Sequence, residues 1–316
     1  MRIILANPRG FCAGVHMAID TVQELVELIG TPLYVFHEIV HNKHVVDRFV
    51  RQGVTFVDHI DEVPRDQTVV FSAHGVSPAV REQAKARNLR MIDATCPLVT
   101  KVHVEARRYA KQGYHILLVG HAGHDEVEGT YGEAPDVITI VESPEDVAEL
   151  PFTTEDKLVY LTQTTLSIDD AEKIIGAIKR RYPNCIAPPK EDICYATTNR
   201  QHAVRHIAPE ADLTIVIGST NSSNSVRLTE ISALAGTPGR LIDDVSEIDP
   251  EWFDGIDSVL ITAGASAPDD LVHAVIQYLI DHHHGTIEES TLAEENVTFA
   301  MPVQLRVLRS KLATTP

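Results

Sequence analysis

The stretch CPLVTKVHVEARRYAKQGYHILLVGHAGH, residues 96–124, runs from a cysteine through a helix and a strand into a polar loop. Pro97 suits the first turn of a helix, where its missing N–H leaves no bond unmade, and Gly113 suits the turn that closes one. The apolar run that follows, bounded by Gly120, has the length and composition of a strand buried on both faces. His124 stands 28 positions after Cys96.

The same order occurs twice more. Cys12 precedes an amphipathic stretch carrying Val15, Ala18, Ile19, Val22, Leu25, Val26 and Ile29, closed by Gly30. The strand LYVF follows, and His41 lies 29 positions after that cysteine. Cys194 precedes a helix, the strand LTIVIG and the loop STNSSNS, whose Ser222 lies 28 positions on. Each copy continues with two further strands and a second polar loop: SAHGVSP with His74, TQTTLS with Thr164, and GASAP with Ser266. The repeat predicts an α/β fold of three similar α/β domains with small parallel sheets, at 1–96, 97–193 and 194–281, and a C-terminal tail over 282–316. Ligands of such sheets bind outside the carboxyl ends of the strands, so a pseudo-threefold arrangement would carry three cysteines and six loops to one centre.

Composition narrows the function. With 44% apolar and 23% charged residues the chain is an ordinary globular one, and its net charge of −18 argues against nucleic acid or an anionic membrane as partner. No apolar run approaches the roughly 20 residues that span a bilayer. The N-terminus enters a strand directly, without the regions of a signal peptide, and the cytoplasm is the expected location. The four cysteines form no CxxC pair and no dense disulfide framework, which suits thiols acting as ligands or catalysts.

Three thiolates at helix starts are favoured by the helix dipoles and by a bound cation. Zinc is one candidate, although its sites usually draw on short local spacings. A cubane iron–sulfur cluster has a threefold axis of its own; three cysteines related by it would hold three irons and leave the fourth open to a ligand. Cys185, in RYPNCIAPP, lies outside the repeat and reads as structural.

HEIVH, residues 37–41, matches the H-E-x-x-H pattern of zinc hydrolases, which needs both histidines on one helical face. Here the motif follows a strand directly, so His37 falls at a strand end and the helix is expected near Asn42. Aligned across the repeat, His37 stands opposite Gly120 and Gly218 and has no equivalent, whereas His41 stands opposite His124 and Ser222. GHAGHDEVEG offers His121, His124 and Glu126, with Asp125 and Glu128 read as solvated neighbours. GSTNSSNS reads as a helix N-terminus presenting hydroxyls and amides to phosphate. No GxGxxG or Walker pattern accompanies it, so no nucleotide is expected, and HHHG at 282–285 reads as surface.

ANPRGFCAGV, HEIVHNK, FSAHGVS, DATCPLVTKVH, GHAGHDEVEGT, TQTTLS, DICYATTNRQ, GSTNSSNSVRL and TAGASAPD, in that order, closely resemble the bacterial 4-hydroxy-3-methylbut-2-enyl diphosphate reductases. These iron–sulfur enzymes catalyse the last step of the non-mevalonate isoprenoid pathway. The resemblance runs from residue 1 to about 281 and fades in the tail. It implies a 4Fe–4S cluster held by Cys12, Cys96 and Cys194, with the substrate hydroxyl on the open iron. The diphosphate would be gripped by His41, His74, His124, Ser222, Ser223, Asn224 and Ser266. Thr164 and Thr165 would position the hydroxyl, and Glu126 would supply protons. Isopentenyl and dimethylallyl diphosphates would be the products, with electrons from a ferredoxin or flavodoxin docked on a basic rim including Arg9, Lys101 and Arg200. A zinc hydrolase built on HEIVH and a non-catalytic iron–sulfur sensor of phosphorylated ligands are the other readings.

Overall fold

The first strand, β1 (Arg2–Asn7), already requires a layered α/β architecture. Its Ile3 and Leu5 join one hydrophobic cluster with Leu213, Ile215 and Val259, while Ile4 and Ala6 join another with Val204, Val216 and Leu260. A strand apolar at consecutive positions must be covered on both faces, which parallel pairing with helical crossovers provides.

The computed structural model describes residues 1–313. After β1 come α1 (Ala13–Ile29), β2 (Leu33–Phe36), α2 (Lys43–Arg51), β3 (Val54–Val57), β4 (Thr68–Phe71), α3 (Pro78–Ala86) and β5 (Arg90–Asp93). The middle third holds α4 (Pro97–Lys111), β6 (His115–Val119), α5 (Asp125–Tyr131), β7 (Ile138–Val141), α6 (Pro144–Glu149), β8 (Leu158–Thr162) and α7 (Ile168–Arg181). The last third holds α8 (Tyr195–Ile207), β9 (Leu213–Ile217), α9 (Ser223–Leu234), β10 (Gly239–Ile242), β11 (Ser258–Ala263), α10 (Asp269–His283), β12 (Thr286–Thr291) and α11 (Val303–Ala313).

The strands form three parallel sheets, ordered β3-β2-β4-β5, β7-β6-β8 and β10-β9-β11-β1-β12. One order recurs in all three: second strand, first, third, then the segment that leads to a cysteine. That last segment is β5 before Cys96 and β1 before Cys12. Before Cys194 it is a single parallel bridge, from Val159 of β8 to Ile186. Thus β1, first in sequence, completes the sheet of β9, β10 and β11, and β12 from the tail extends that sheet further.

The chain divides into two compact units. One comprises Met1–Val15, His41–Asp47 and Tyr195–Val297 and holds the five-stranded sheet; the other comprises His16–Val40, Arg48–Cys194 and the chain from Thr298 on, and holds the other two. Among the described residues no helix is long and apolar enough to cross a membrane.

Candidate active site

Three cysteines occupy equivalent backbone positions. Cys12 and Cys194 immediately precede α1 and α8, and Cys96 is the N-cap of α4. Each donates its backbone N–H to a loop at the carboxyl end of the neighbouring strand: Cys12 to Ala265 O at 3.2 Å, Cys96 to Ala73 O at 3.0 Å, and Cys194 to Thr164 O at 3.0 Å. All four cysteines are partly exposed, and no disulfide joins any of them. Gly10, two residues before Cys12, has φ +66, a conformation open to glycine but strained for other residues. Cys185 is different in kind. It packs against the cluster of Tyr160, Ile174 and Ile178, and burial pushes its thiol up to about 12.

The register of those bonds corrects one alignment. The residues that follow the acceptor carbonyls are Ser266, His74 and Thr165, so Thr165 and not Thr164 is the counterpart of His74 and Ser266. Thr164 serves a separate purpose. Its N–H donates to Glu126 Oε1 at 2.6 Å and its hydroxyl to Glu126 Oε2 at 2.9 Å, and both residues are buried.

The cations expected at a docking rim are anchors of the cysteine segments instead. Arg200 is fully buried; it donates to Gly10 O at 2.7 Å and Ala196 O at 2.9 Å and pairs with Glu295 at 3.0 Å. Lys101, on α4, donates to Lys190 O at 2.7 Å, Glu191 O at 3.0 Å and Asp192 Oδ1 at 2.8 Å, just ahead of Cys194. Arg9 bonds Ala6 O at 3.2 Å and the side chain of Asn7. A buried cation such as Arg200 must have such partners and offers little charge to a docking protein. Lys101 and Arg9 are partly exposed, the charge of Lys101 met by Asp192 and that of Arg9 facing neutral oxygens.

In the first unit Ser222 caps α9, its Oγ accepting from Ser225 N at 3.4 Å. Ser266 Oγ donates to His41 O at 2.9 Å and lies 3.4 Å from Ser222 Oγ, which makes the three expected anion-binding residues neighbours. Ser223 opens the helix. Asn224, in its first turn and buried, has no hydrogen-bond partner for either amide atom among the described residues. A buried amide left so costs about 1–3 kcal/mol and marks a place for a ligand. Asn42, absent from the expected set, caps α2 through Oδ1 (Val45 N, 3.1 Å) and leaves its buried Nδ2 without a partner. His41 therefore precedes a cap, whereas His124 and Ser222 are caps; equal spacing from the strand ends concealed this.

In the second unit His124 caps α5, its Nδ1 accepting from Glu126 N at 3.2 Å, so the neutral ring carries its proton on Nε2. His74 presents Nδ1 to Ser72 Oγ at 3.4 Å and sets its ring edge-on to His124, the centroids 5.9 Å apart. Gly75 after it has φ +80, and a Cβ there would stand 3.1 Å from His103 Nε2. Thr165 Oγ1 accepts from Gln163 Nε2 at 2.9 Å. HEIVH lies in the loop between β2 and α2, so it lacks the one-turn helical spacing of a zinc hydrolase. Asp125, read from sequence as a solvated acid, instead accepts from His37 Nδ1 at 2.7 Å.

The sequence pattern that defines the LytB protein family matches residues 3–280. The 4-hydroxy-3-methylbut-2-enyl diphosphate reductase of Rhodococcus jostii (strain RHA1) is 54% identical over 310 residues, covering 98% of this chain and 92% of that one. The reductase of Actinobacillus succinogenes with the same name is 52% identical, covering 97% and 99%. Among solved structures, the E-1-hydroxy-2-methyl-but-2-enyl-4-diphosphate reductase of Plasmodium falciparum superposes with a TM-score of 0.97 at 40% identity, over 99% of both chains. The match spans every loop described above, and the chain belongs to the LytB protein family.

Proposed function

We propose that the chain is a 4-hydroxy-3-methylbut-2-enyl diphosphate reductase that removes the substrate hydroxyl as water, using two electrons and two protons, to give isopentenyl and dimethylallyl diphosphates. The observation that carries this reading is the backbone register shared by three helix-start cysteines, from which the high-pKa Cys185 is excluded. That donor set fits a 4Fe–4S cluster, with Cys12, Cys96 and Cys194 as its ligands. Such a cluster, when bound, supplies single electrons and an open iron that acts as a Lewis acid toward the hydroxyl.

The chain's own residues divide the remaining work. His41, His74, His124, Ser222, Ser223, Asn224 and Ser266 take the diphosphate; hydroxyls, an amide and imidazoles satisfy phosphate oxygens by hydrogen bonds. His124, held as its Nε2–H tautomer, is a neutral donor there. Thr164 and Thr165 orient the allylic hydroxyl. Protonated at Oε2, Glu126 donates to Thr164 Oγ1, and the threonine's own proton passes to the departing oxygen; the 2.9 Å contact between them supports this short relay. Segment 1–96 contributes Cys12 and Cys96, segment 194–281 contributes Cys194, and each of 1–96, 97–193 and 194–281 contributes two polar loops, the tail from 282 lying outside the chemistry. A ferredoxin or flavodoxin supplies the electrons, in the cytoplasm.

The test is anaerobic purification with iron and sulfide analysis, followed by turnover with a chemical reductant. Glu126→Gln should keep its iron and bind substrate yet lose about a hundred- to ten-thousandfold in rate. A colourless zinc protein would overturn the cluster, and an iron–sulfur protein without turnover would be a sensor instead.

A further inference from the structure

His37 is the one histidine of HEIVH that the repeat does not explain, and its backbone is unusual. It sits at φ +57, a region that costs a residue with a Cβ and that persists only where surroundings hold it. Its ring stacks on Phe36, and Nδ1 donates to Asp125 Oδ1 at 2.7 Å. The other oxygen of Asp125 lies 3.9 Å from Nδ1 of His74. Side-chain exposure falls along the series, from 32% at His37 through 21% at Asp125 to 15% at His74.

This arrangement poses an electrostatic problem. A carboxylate beside a histidine that takes a diphosphate would repel the ligand, because like charges in a half-buried site are screened less than in bulk water. The hydrogen bond that His37 donates to Asp125 raises the pKa of His37, against the opposing effect of burial, and the Asp125 and Asp58 charges add to it. A protonated His37 cancels the charge of Asp125 while leaving its second oxygen turned toward His74.

We propose that His37 and Asp125 form a charge-neutral positioning dyad for His74, in which Asp125 biases the ring electrostatically from 3.9 Å, beside the Ser72 contact at Nδ1, and His37 keeps the carboxylate from repelling the diphosphate. This rests on the reading of His74 as a diphosphate ligand. It is a positioning role: neither member touches the reacting atoms. Because Nδ1 faces Asp125, the opposite ring nitrogen, Nε2, is the one offered to phosphate.

The dyad makes a prediction about sign that a merely structural contact does not. His37→Asn keeps a residue that tolerates positive φ but removes one cation from beside Asp125, making the site more negative by one charge. The substrate KM, and the Kd of the holoenzyme for inorganic pyrophosphate by calorimetry, should each rise about tenfold with kcat little changed. Asp125→Asn removes the repulsive charge together with the orienting one and should cost about threefold or less. The double variant His37→Asn/Asp125→Asn should recover most of what His37→Asn loses. Circular dichroism and iron content, unchanged across the set, exclude unfolding as the cause. If the double variant binds pyrophosphate no better than His37→Asn, while His74→Gln weakens that binding, the dyad is wrong and the site reading stands. If His74→Gln leaves pyrophosphate affinity unchanged, the assignment of His74 to the diphosphate fails and the dyad fails with it.

Discussion

A cysteine's surroundings decide whether it can be a ligand, and the four here separate cleanly. Cys12, Cys96 and Cys194 stand at helix starts, whereas Cys185, equally part-exposed, packs against an apolar cluster and its burial raises the thiol to about 12. Cys185→Ser should therefore keep full iron content and visible absorption, while serine at any of the other three should lose most of both. Bleaching by Cys185→Ser alone would overturn the assignment. The spacing of about 28 residues made these three cysteines legible in the sequence, together with His41, His124 and Ser222. Asp125 was not legible, because its importance comes from His37, a residue 88 positions away that no repeat pairs with it. Asn42 was hidden for a more local reason: whether a helix is capped by His41 or its neighbour turns on backbone dihedrals that strand spacing does not report.

At the scale of elements, helices announced their own limits and strands did not announce their sheets. Pro97 opens α4 and Gly113, at φ +76, follows its end, as their chemistry requires. β1 reads as the first strand of the first repeat, yet its partners are β11 and β12; an apolar run states that it will be buried on both faces but not against which strands. The approach to Cys96 shows how such an element is fixed. At the end of β5, burial pushes the Asp93 carboxyl up, but Arg81 at 2.6 Å and the bonds from Thr95 outweigh it and hold the pKa below the usual range. A depressed carboxylate pKa contributes stability that is present above the unfolded value near 4 and is lost as pH falls through the folded value. Asp93→Asn should thus lower stability by about 1 kcal/mol at pH 7, discounted because Arg81 is partly exposed. The deficit should shrink as wild type is titrated below pH 4, which urea unfolding of the apoprotein at both pH values would measure. An equal deficit at both would mean that the charge of Asp93 contributes nothing.

At the scale of the whole molecule, one sheet takes strands from the first residues and from the C-terminal segment. β12, beyond the residues that the family pattern matches but within the span shared with the relatives, pairs along the whole of β1, from Arg2 with Thr286 to Asn7 with Thr291. Four residues beyond β12, Glu295 pairs with the buried Arg200 and accepts from Asn199 at 3.0 Å, while Arg200 holds the carbonyl of Gly10. The C-terminal segment thereby secures the loop that carries Cys12, although it contains no residue of the repeat. Breaking a buried pair by removing one partner leaves the other charge uncompensated, a loss of about 3–5 kcal/mol where burial is complete. Glu295 retains some exposure, so Glu295→Gln should cost somewhat less, about 2 kcal/mol. The location of the effect discriminates more sharply than its size. Hydrogen exchange at Gly10 and Cys12 should accelerate in Glu295→Gln, because their N–H bonds to Ala263 and Ala265 open as the anchor loosens, while Cys96 and Cys194, held by Ala73 and Thr164, should exchange as in wild type. Uniform acceleration at all three cysteines would show that Glu295 supports the fold at large, and no acceleration at Gly10 would show that Arg200 holds its carbonyl without help from the tail.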